Sequence, residues 1–298
     1  MRSADHAMYQ AKSAGRRSIK FYVSSMQHAA SKKLNIQRLI QDALNHERLD
    51  LAFQPQVDSG GRIVGVEALL RVGATDGWQP STTEIMVVAE ESSLVLELGD
   101  WVLERACECL VRWTEDGLGI ERLAVNVSPS QFHRADYAER VLEVLARTGA
   151  NAGCLEMEIT EKVLMSGFED AVEKMRTLKG HGIRFSIDDF GTGYSSLSNL
   201  RRLPLDRIKI DQSFTRDAVD DANDAAIVQT ILSMAESMGL ECVAEGVENE
   251  ATFEALKDHA CQVFQGYYFA RPVAESEIVT ILRRGSVPLG SAGKGIHR

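Results

Sequence analysis

Hydrophobic and polar positions follow two periods along this chain. From Leu51 onward, short apolar runs recur at Leu51 to Val57, Ile63 to Val72, Leu123 to Ser128, Leu155 to Thr160, Arg184 to Phe190, Arg207 to Asp211, Glu241 to Val247 and Gln262 to Ala270. Their length and their β-branched and aromatic content predict strands. Helix-period segments lie between or beside them, near Thr83 to Glu91, Val95 to Trp113, Tyr137 to Thr148, Glu169 to Lys179, Ser195 to Leu203, Ala222 to Met238, Glu250 to His259 and Glu275 to Arg284. Alternating strands and helices over about 235 residues predict an α/β fold, a (β/α)8 TIM-like barrel with its site at the carboxyl ends of the strands.

One irregularity is readable. Only Asp58-Ser-Gly-Gly-Arg62 joins the first two strands. That linker is too short for a parallel crossover and suits a hairpin, so the barrel is expected to have an antiparallel first strand. Upstream, Ala4 to Gly15 has a helical stripe, Ser18 to Val23 reads as a strand, and Ala30 to His46 forms an amphipathic helix leading into the barrel. A lone helix and strand cannot bury a core, so residues 1–29 are expected to be the end of another domain with a linker. Residues 30–284 form the barrel in this reading. The Gly- and Ser-rich segment 285–298 lacks periodicity and P-loop spacing, and reads as a flexible tail.

Composition narrows the partners. A formal net charge of -10 lacks the basic face of a nucleic-acid polymer binder. No apolar run approaches the ~18 residues of a membrane span, and the amino terminus does not read as a secretion signal. Five cysteines, without ligand spacing beyond one Cys-x-Cys, fit a reduced protein. A cytoplasmic location is expected.

The candidate chemistry centres on Asp188 and Asp189, which close the fifth strand and precede a loop with two glycines. Two adjacent carboxylates persist ionised only when a cation or hydrogen bonds compensate them. The same residues also read as a turn beginning at Asp189, and the pair alone does not separate the two readings. Placing the strands brings further polar residues to comparable heights: Glu67, Asn126, Glu158, Lys209, Glu245 and Gln265. Each alone admits a structural role; several acids and an amide on successive strand ends of an apolar barrel point to a metal site. An all-oxygen set without histidine favours Mg²⁺ or Mn²⁺ over zinc. An acid pair can bridge two ions about 3.5 to 4 Å apart, the arrangement of phosphoryl hydrolysis. Lys209 is placed to orient the attacking water, Glu245 to take its proton, and Arg71 to hold a phosphate oxygen.

These residues lie in blocks that resemble the EAL domain, the cyclic di-GMP phosphodiesterases of bacteria. The blocks are Phe53-Gln-Pro-Gln56, Glu67-Ala-Leu-Leu-Arg71, Asn126-Val-Ser-Pro-Ser-Gln131, Glu158-Ile-Thr-Glu161, Asp188-Asp-Phe-Gly-Thr-Gly-Tyr194, Lys209-Ile-Asp211, Ala244-Glu-Gly-Val-Glu248 and Gln265-Gly-Tyr267. The resemblance implies hydrolysis of cyclic di-GMP to linear pGpG, dependent on Mg²⁺ or Mn²⁺ (two ions) and inhibited by Ca²⁺. It implies that Glu67, Asn126, Glu158, Asp188 and Asp189 bind metal, that Lys209, Glu245 and Asp189 are catalytic, and that Arg71 takes a phosphate and Gln54 a guanine, with Gln265 supporting the site. The loop through Gly191 and Gly193, held by Glu161, resembles a regulatory loop beside a homodimer contact, with Glu248 in the same set. Val72 and Ala270 depart from the family's frequent residues without touching a ligand.

Residues Ala4 to Tyr9, with Ala11, Lys12, Gly15 and Arg16, resemble the last helix of a GGDEF (diguanylate cyclase) domain, although no GGDEF motif is present. That likeness implies a piece of a tandem protein, membrane-associated only through upstream segments. Two other functions compete. One is a cyclic di-GMP receptor that binds without cutting, which would usually lack several acids that are all present here. The other is a glycoside hydrolase, disfavoured by 6% aromatic content and by more acids than that chemistry uses.

Overall fold

The computed structural model describes residues 24–73, 78–165, 167–192 and 197–289. The expected helix and strand of residues 4–23, the loop residues Gly193, Ser195 and Ser196, and residues 290–298 lie outside them. Two compact units divide the chain, Met1–Leu49 with Val72–Leu94, and Asp50–Arg71 with Val95–Arg298. In the first unit, α1 (Ser24–Asn45) starts six residues before the sequence pattern predicts and buries Ile36, Leu39, Ile40 and Ala43. Helix α2 (Thr82–Glu90) belongs to this unit and starts at a capping box, in which Ser81 Oγ accepts from the Glu84 amide and the Glu84 carboxylate accepts from the Ser81 amide.

The second unit carries a closed barrel in the order β1 to β8. Its strands are β1 (Leu49–Asp58), β2 (Ile63–Val72), β3 (Leu123–Val127), β4 (Leu155–Thr160), β5 (Arg184–Phe190), β6 (Arg207–Ile210), β7 (Glu241–Ala244) and β8 (Val263–Phe264). Strands β2 to β8 pair in parallel, and β1 pairs antiparallel with β8 through Val57 and Phe264. The hairpin reading of Asp58 to Arg62 therefore holds, with the Asp58 amide donating to the Arg62 carbonyl at 2.9 Å. Strand β8 is shorter than the expected run: the ladder ends at Phe264, and at Gly266 the chain comes so close to the Val247 backbone that a Cβ there would lie 2.1 Å from the Val247 carbonyl oxygen.

The helices after Leu94 are α3 (Leu94–Glu115), α4 (Pro129–Phe132), α5 (Tyr137–Thr148), α6 (Glu161–Met165), α7 (Phe168–Lys179), α8 (Leu197–Leu200), α9 (Gln212–Asp217), α10 (Ala222–Met238), α11 (Glu250–Asp258) and α12 (Glu275–Arg284). Short α4, α6 and α9 were not expected, since four to six residues are too few to show a helical period. Residues 285–289 are not a free tail: the Val287 amide donates to the Gly61 carbonyl at 2.8 Å, and Ser286 bridges to Arg62.

Alternation along the strands sorts the interior. Met157 receives the Tyr137 hydroxyl of α5 at 3.7 Å, and Phe185 packs edge-on to Phe132 of α4. These apolar residues face the helix layer. Residues of the opposite parity, Glu156 and Glu158 on β4 and Arg207 and Lys209 on β6, face the axis and are buried to 1% exposure or less. The barrel is therefore filled by polar side chains in two layers, one near each end.

Candidate functional site

At the carboxyl end, strand alternation and one break in it assemble the acids. Glu67 comes from β2, Asn126 from β3, Glu158 from β4, Lys209 from β6, and Glu245 and Gln265 from just beyond β7 and β8. In a regular strand Asp188 and Asp189 would point to opposite faces. The β5–β6 register instead shifts between Ile187 and Phe190, and Asp189 takes φ 53, a left-handed conformation uncommon outside glycine. With that bulge, carboxylate oxygens of Asp188, Asp189 and Glu245 lie within 4.8 Å of one another.

Lys209 is the hub. Its Nζ lies 2.6 Å from Glu158 Oε2, 2.6 Å from Glu245 Oε1, 3.1 Å from Asp188 Oδ1 and 3.8 Å from Glu67 Oε1. The Asp188 contact is ionic without hydrogen-bond geometry, so Asp188 Oδ1, like Glu158 Oε1, is buried with no hydrogen bond among the described residues. Glu67 is better supplied: Asn126 Nδ2 donates to its Oε1 at 2.7 Å and Gln265 Nε2 to its Oε2 at 2.5 Å. Gln265 Nε2 also donates to Gln54 Oε1 at 3.1 Å, and Gln54 Nε2 to the Ala270 carbonyl at 3.0 Å. Arg71 is half-buried and donates to the Leu70 carbonyl at 2.9 Å.

Titration follows from this crowding. Burial, then the charges of Asp188 and Glu67, push the Glu245 carboxyl up to about 8 against the pull of Lys209. Burial and neighbouring Asp188 and Asp211 raise Asp189 to about 6. Burial and Glu67 hold Glu158 well above the usual carboxylate range. For Glu67 burial works the other way and is outweighed by Lys209, Gln265 and Asn126, which together lower it. Burial opposes the Lys209 charge, yet Asp188, Glu158, Glu245 and Glu67 keep its ammonium well above the usual lysine range.

Among the described residues one ammonium faces five carboxylates here, and two buried carboxylate oxygens lack hydrogen bonds. An all-oxygen donor set with such a deficit of positive charge fits a hard divalent cation. Asn126 turns its Nδ2 to Glu67, so its Oδ1 is the atom that a cation could use. Of the residues singled out for the following loop, Glu161 accepts from the Gly191 amide at 3.1 Å, Glu248 pairs with Arg216 at 2.9 Å, and Gly193 lies outside the described residues.

Sequence reasoning missed three contributors. Asp211 lies close enough to Asp189 for its charge to help raise that carboxyl, and it caps α9 by accepting from the Ser213 amide at 3.0 Å. Thr215 is fully buried on α9 and donates through Oγ1 to the Glu245 carbonyl. Gln56 is fully buried and donates from Nε2 to Gln265 Oε1 at 2.9 Å. Gln56 was legible as the residue two positions from Gln54; nothing in the sequence marked Thr215.

Comparison with known proteins agrees with this architecture. Residues 37–272 match the EAL domain. The Pseudomonas aeruginosa protein MucR, described as a bifunctional diguanylate cyclase/cyclic di-GMP phosphodiesterase, is 36% identical over 280 residues, 94% of this chain and 41% of that protein. Pseudomonas aeruginosa NbdA, described as a cyclic di-GMP phosphodiesterase, is 35% identical over 290 residues, 95% of this chain and 36% of that protein. The chain thus spans less than half the length of these relatives. The solved MucR phosphodiesterase in complex with c-di-GMP superposes with a TM-score of 0.79 at 35% identity, covering 82% of this chain and 99% of that one. Because the matched residues 37–272 contain every strand of the barrel and every side chain of its acidic mouth, the chain belongs to the EAL domain family.

Proposed function

We propose that this chain is a metal-dependent phosphodiesterase that hydrolyses cyclic di-GMP to linear 5'-pGpG. The observation that carries this reading is the cluster of Asp188, Asp189 and Glu245 oxygens beside a single ammonium, a charge deficit that a divalent cation would fill. The descriptions of MucR and NbdA support it.

In this reading Glu67, Asn126, Glu158, Asp188 and Asp189 would hold Mg²⁺ or Mn²⁺, as two ions, with Ca²⁺ inhibitory. Bound there, the ions would acidify a water and neutralise phosphate charge. The protein's own groups divide the remaining work. Glu245, with its carboxyl raised to about 8, accepts and holds a proton near neutral pH. Lys209 Nζ, 2.6 Å from Glu245 Oε1, keeps that carboxylate oriented and supplies fixed positive charge for the reacting phosphodiester. Arg71 offers the guanidinium N–H groups not spent on the Leu70 carbonyl to a phosphate oxygen. Gln54 uses its remaining N–H and lone pair on a guanine edge, and Gln265 steadies Glu67.

The wider assignments belong to the same proposal. Glu161, Gly191, Gly193 and Glu248 form a regulatory loop set beside a homodimer contact. Residues 1–29 are the end of a GGDEF-like domain with its linker, 30–284 the phosphodiesterase barrel, and the end of the chain a tail. The alignment to MucR over 94% of this chain is in keeping with a tandem arrangement. Free thiols at all five cysteines favour a cytoplasmic site, and no helix among the described residues is long and apolar enough to cross a membrane.

The test is incubation of the purified protein with cyclic di-GMP and Mg²⁺ or Mn²⁺, followed by chromatography. Appearance of pGpG is expected. Tight binding without turnover in either metal would replace the enzyme with a receptor.

A further inference from the structure

We propose that Gln56 is a positioning residue that carries the fixed donor character of Arg207, at the far end of the barrel, through Gln265 to Glu67. The proposal rests on the metal-site reading above and adds residues to it.

Two groups at the ends of this hydrogen-bond chain have no choice of role. Arg207 is buried and its guanidinium can only donate. Its Nη1 lies 3.1 Å from Gln56 Oε1, so Gln56 must turn Nε2 the other way, where it meets Gln265 Oε1 at 2.9 Å. Gln265 in turn must present Nε2 to its other neighbours, Glu67 Oε2 at 2.5 Å and Gln54 Oε1 at 3.1 Å. The side branch ends consistently: Gln54 Nε2 donates to the Ala270 carbonyl at 3.0 Å, a group that can only accept. A donor-only end, an acceptor-only end and a carboxylate therefore set the orientation of three buried amides. Turning over any one of them would set donor against donor or acceptor against acceptor, with both groups buried.

The surroundings are built for this chain. Arg207 is anchored by Glu241 Oε2 at 2.5 Å and Glu156 Oε2 at 3.4 Å. A Cβ at position 65 would lie 2.7 Å from Gln56 Oε1, so Gly65 on β2 leaves the space the amide occupies. The result at the other end is a Glu67 carboxylate with a donor on each oxygen, Asn126 on one and Gln265 on the other, and so a fixed plane. Groups that orient a ligand from behind in this way tune metal affinity without touching the ion.

Two variants separate positioning from packing. Q56E keeps the acceptor that Arg207 needs but offers no N–H to Gln265, which is driven to turn over and present its oxygen to Glu67. Q56M removes the donor without inverting anything. Mn²⁺ titration of the metal-stripped full chain by calorimetry should show affinity lowered about 10- to 100-fold in Q56E and less in Q56M, as for other groups behind metal ligands. In Q56M, which does not turn Gln265 over against Gln54, activity should fall in kcat with KM for cyclic di-GMP within about twofold, and the melting temperature in EDTA reports the fold separately. Wild-type Mn²⁺ affinity in both variants, or losses of melting temperature alone, would overturn the proposal. If Q56E does not fold, Q56M decides: weakened Mn²⁺ binding supports the relay and unchanged binding ends it. Absence of Mn²⁺ binding by the unaltered chain would instead sink the metal-site reading.

Discussion

The two polar layers of the barrel are built on largely the same strands yet obey different electrostatics. At the floor, Arg207 and Arg122 meet Glu156 and Glu241, with Arg122 Nη1 2.7 Å from Glu241 Oε2 and 3.7 Å from Glu156 Oε2. Two cations face two anions, so the charges balance even though Glu156 Oε1 and Arg122 Nε are buried without a hydrogen bond among the described residues. At the mouth, roughly 6.6 Å along β4 and β6 by strand rise, one ammonium among the described residues, Lys209, is set against five carboxylates. A balanced buried cluster is a structural solution; an unbalanced one is stable only with its acids protonated or with a further cation present. The difference marks the mouth, not the floor, as the place for an ion.

The sharpest way to break that comparison is to remove a mouth acid. Glu67→Ala makes the charge count less lopsided, yet we expect turnover of cyclic di-GMP to fall by about 10³-fold or more, with the melting temperature in EDTA retained. An unchanged rate would show that the imbalance has nothing to do with a metal. Next comes loss of each layer's lysine or arginine. Arg207→Met should cost about 3–5 kcal/mol in urea denaturation, because Glu156 and Glu241 lose one of the two arginines they share and are left with a buried excess of negative charge, and Mn²⁺ should not restore it. Lys209→Met should destabilise the metal-free protein as well, but Mn²⁺ should recover part of the loss while activity stays absent. Equal responses of the two variants to Mn²⁺ would erase the distinction between layers.

A smaller effect is expected from pH. Glu245 near 8 and Asp189 near 6 titrate above their unfolded values of about 4, so the folded, metal-free protein binds protons more tightly than the unfolded chain. Stability contributed by these groups is present at low pH and is lost as pH rises through about 6 and then about 8. Glu67, shifted the other way, acts only below its unfolded value and does not offset this loss. Melting temperature in EDTA should therefore decline between about pH 5 and pH 8, and Mn²⁺ should flatten the decline. A rise over that range would contradict the proposed crowding. The least effect belongs to an ion pair outside both layers: Glu248 and Arg216 keep 43% and 53% of their side-chain exposure. Glu248→Gln should change stability by less than about 1 kcal/mol in urea denaturation.

Much of the mouth was legible before folding, because strand ends are readable from apolar runs and acids on them are conspicuous. Glu67, Glu158 and Lys209 needed only that placement. The floor was equally written in the chain, as Gln56, Glu156 and Arg207 lie two residues from Gln54, Glu158 and Lys209 and so share their face. What spacing does not carry is which of these charges finds a partner, because the neutralising groups come from other strands.

By itself the sequence determined the eight strands, their alternation with helices, and the antiparallel hairpin at Asp58 to Arg62, since periodicity and linker length are local properties. Tertiary structure alone decided three things. It bulged β5 so that adjacent Asp188 and Asp189 both reach the mouth, which a regular strand forbids. It shortened β8 to two residues, where the Gly266 backbone meets Val247. It also joined Arg207 to Glu67 through two amides from strands far apart in the chain, because hydrogen-bond polarity is settled only when every partner is in place.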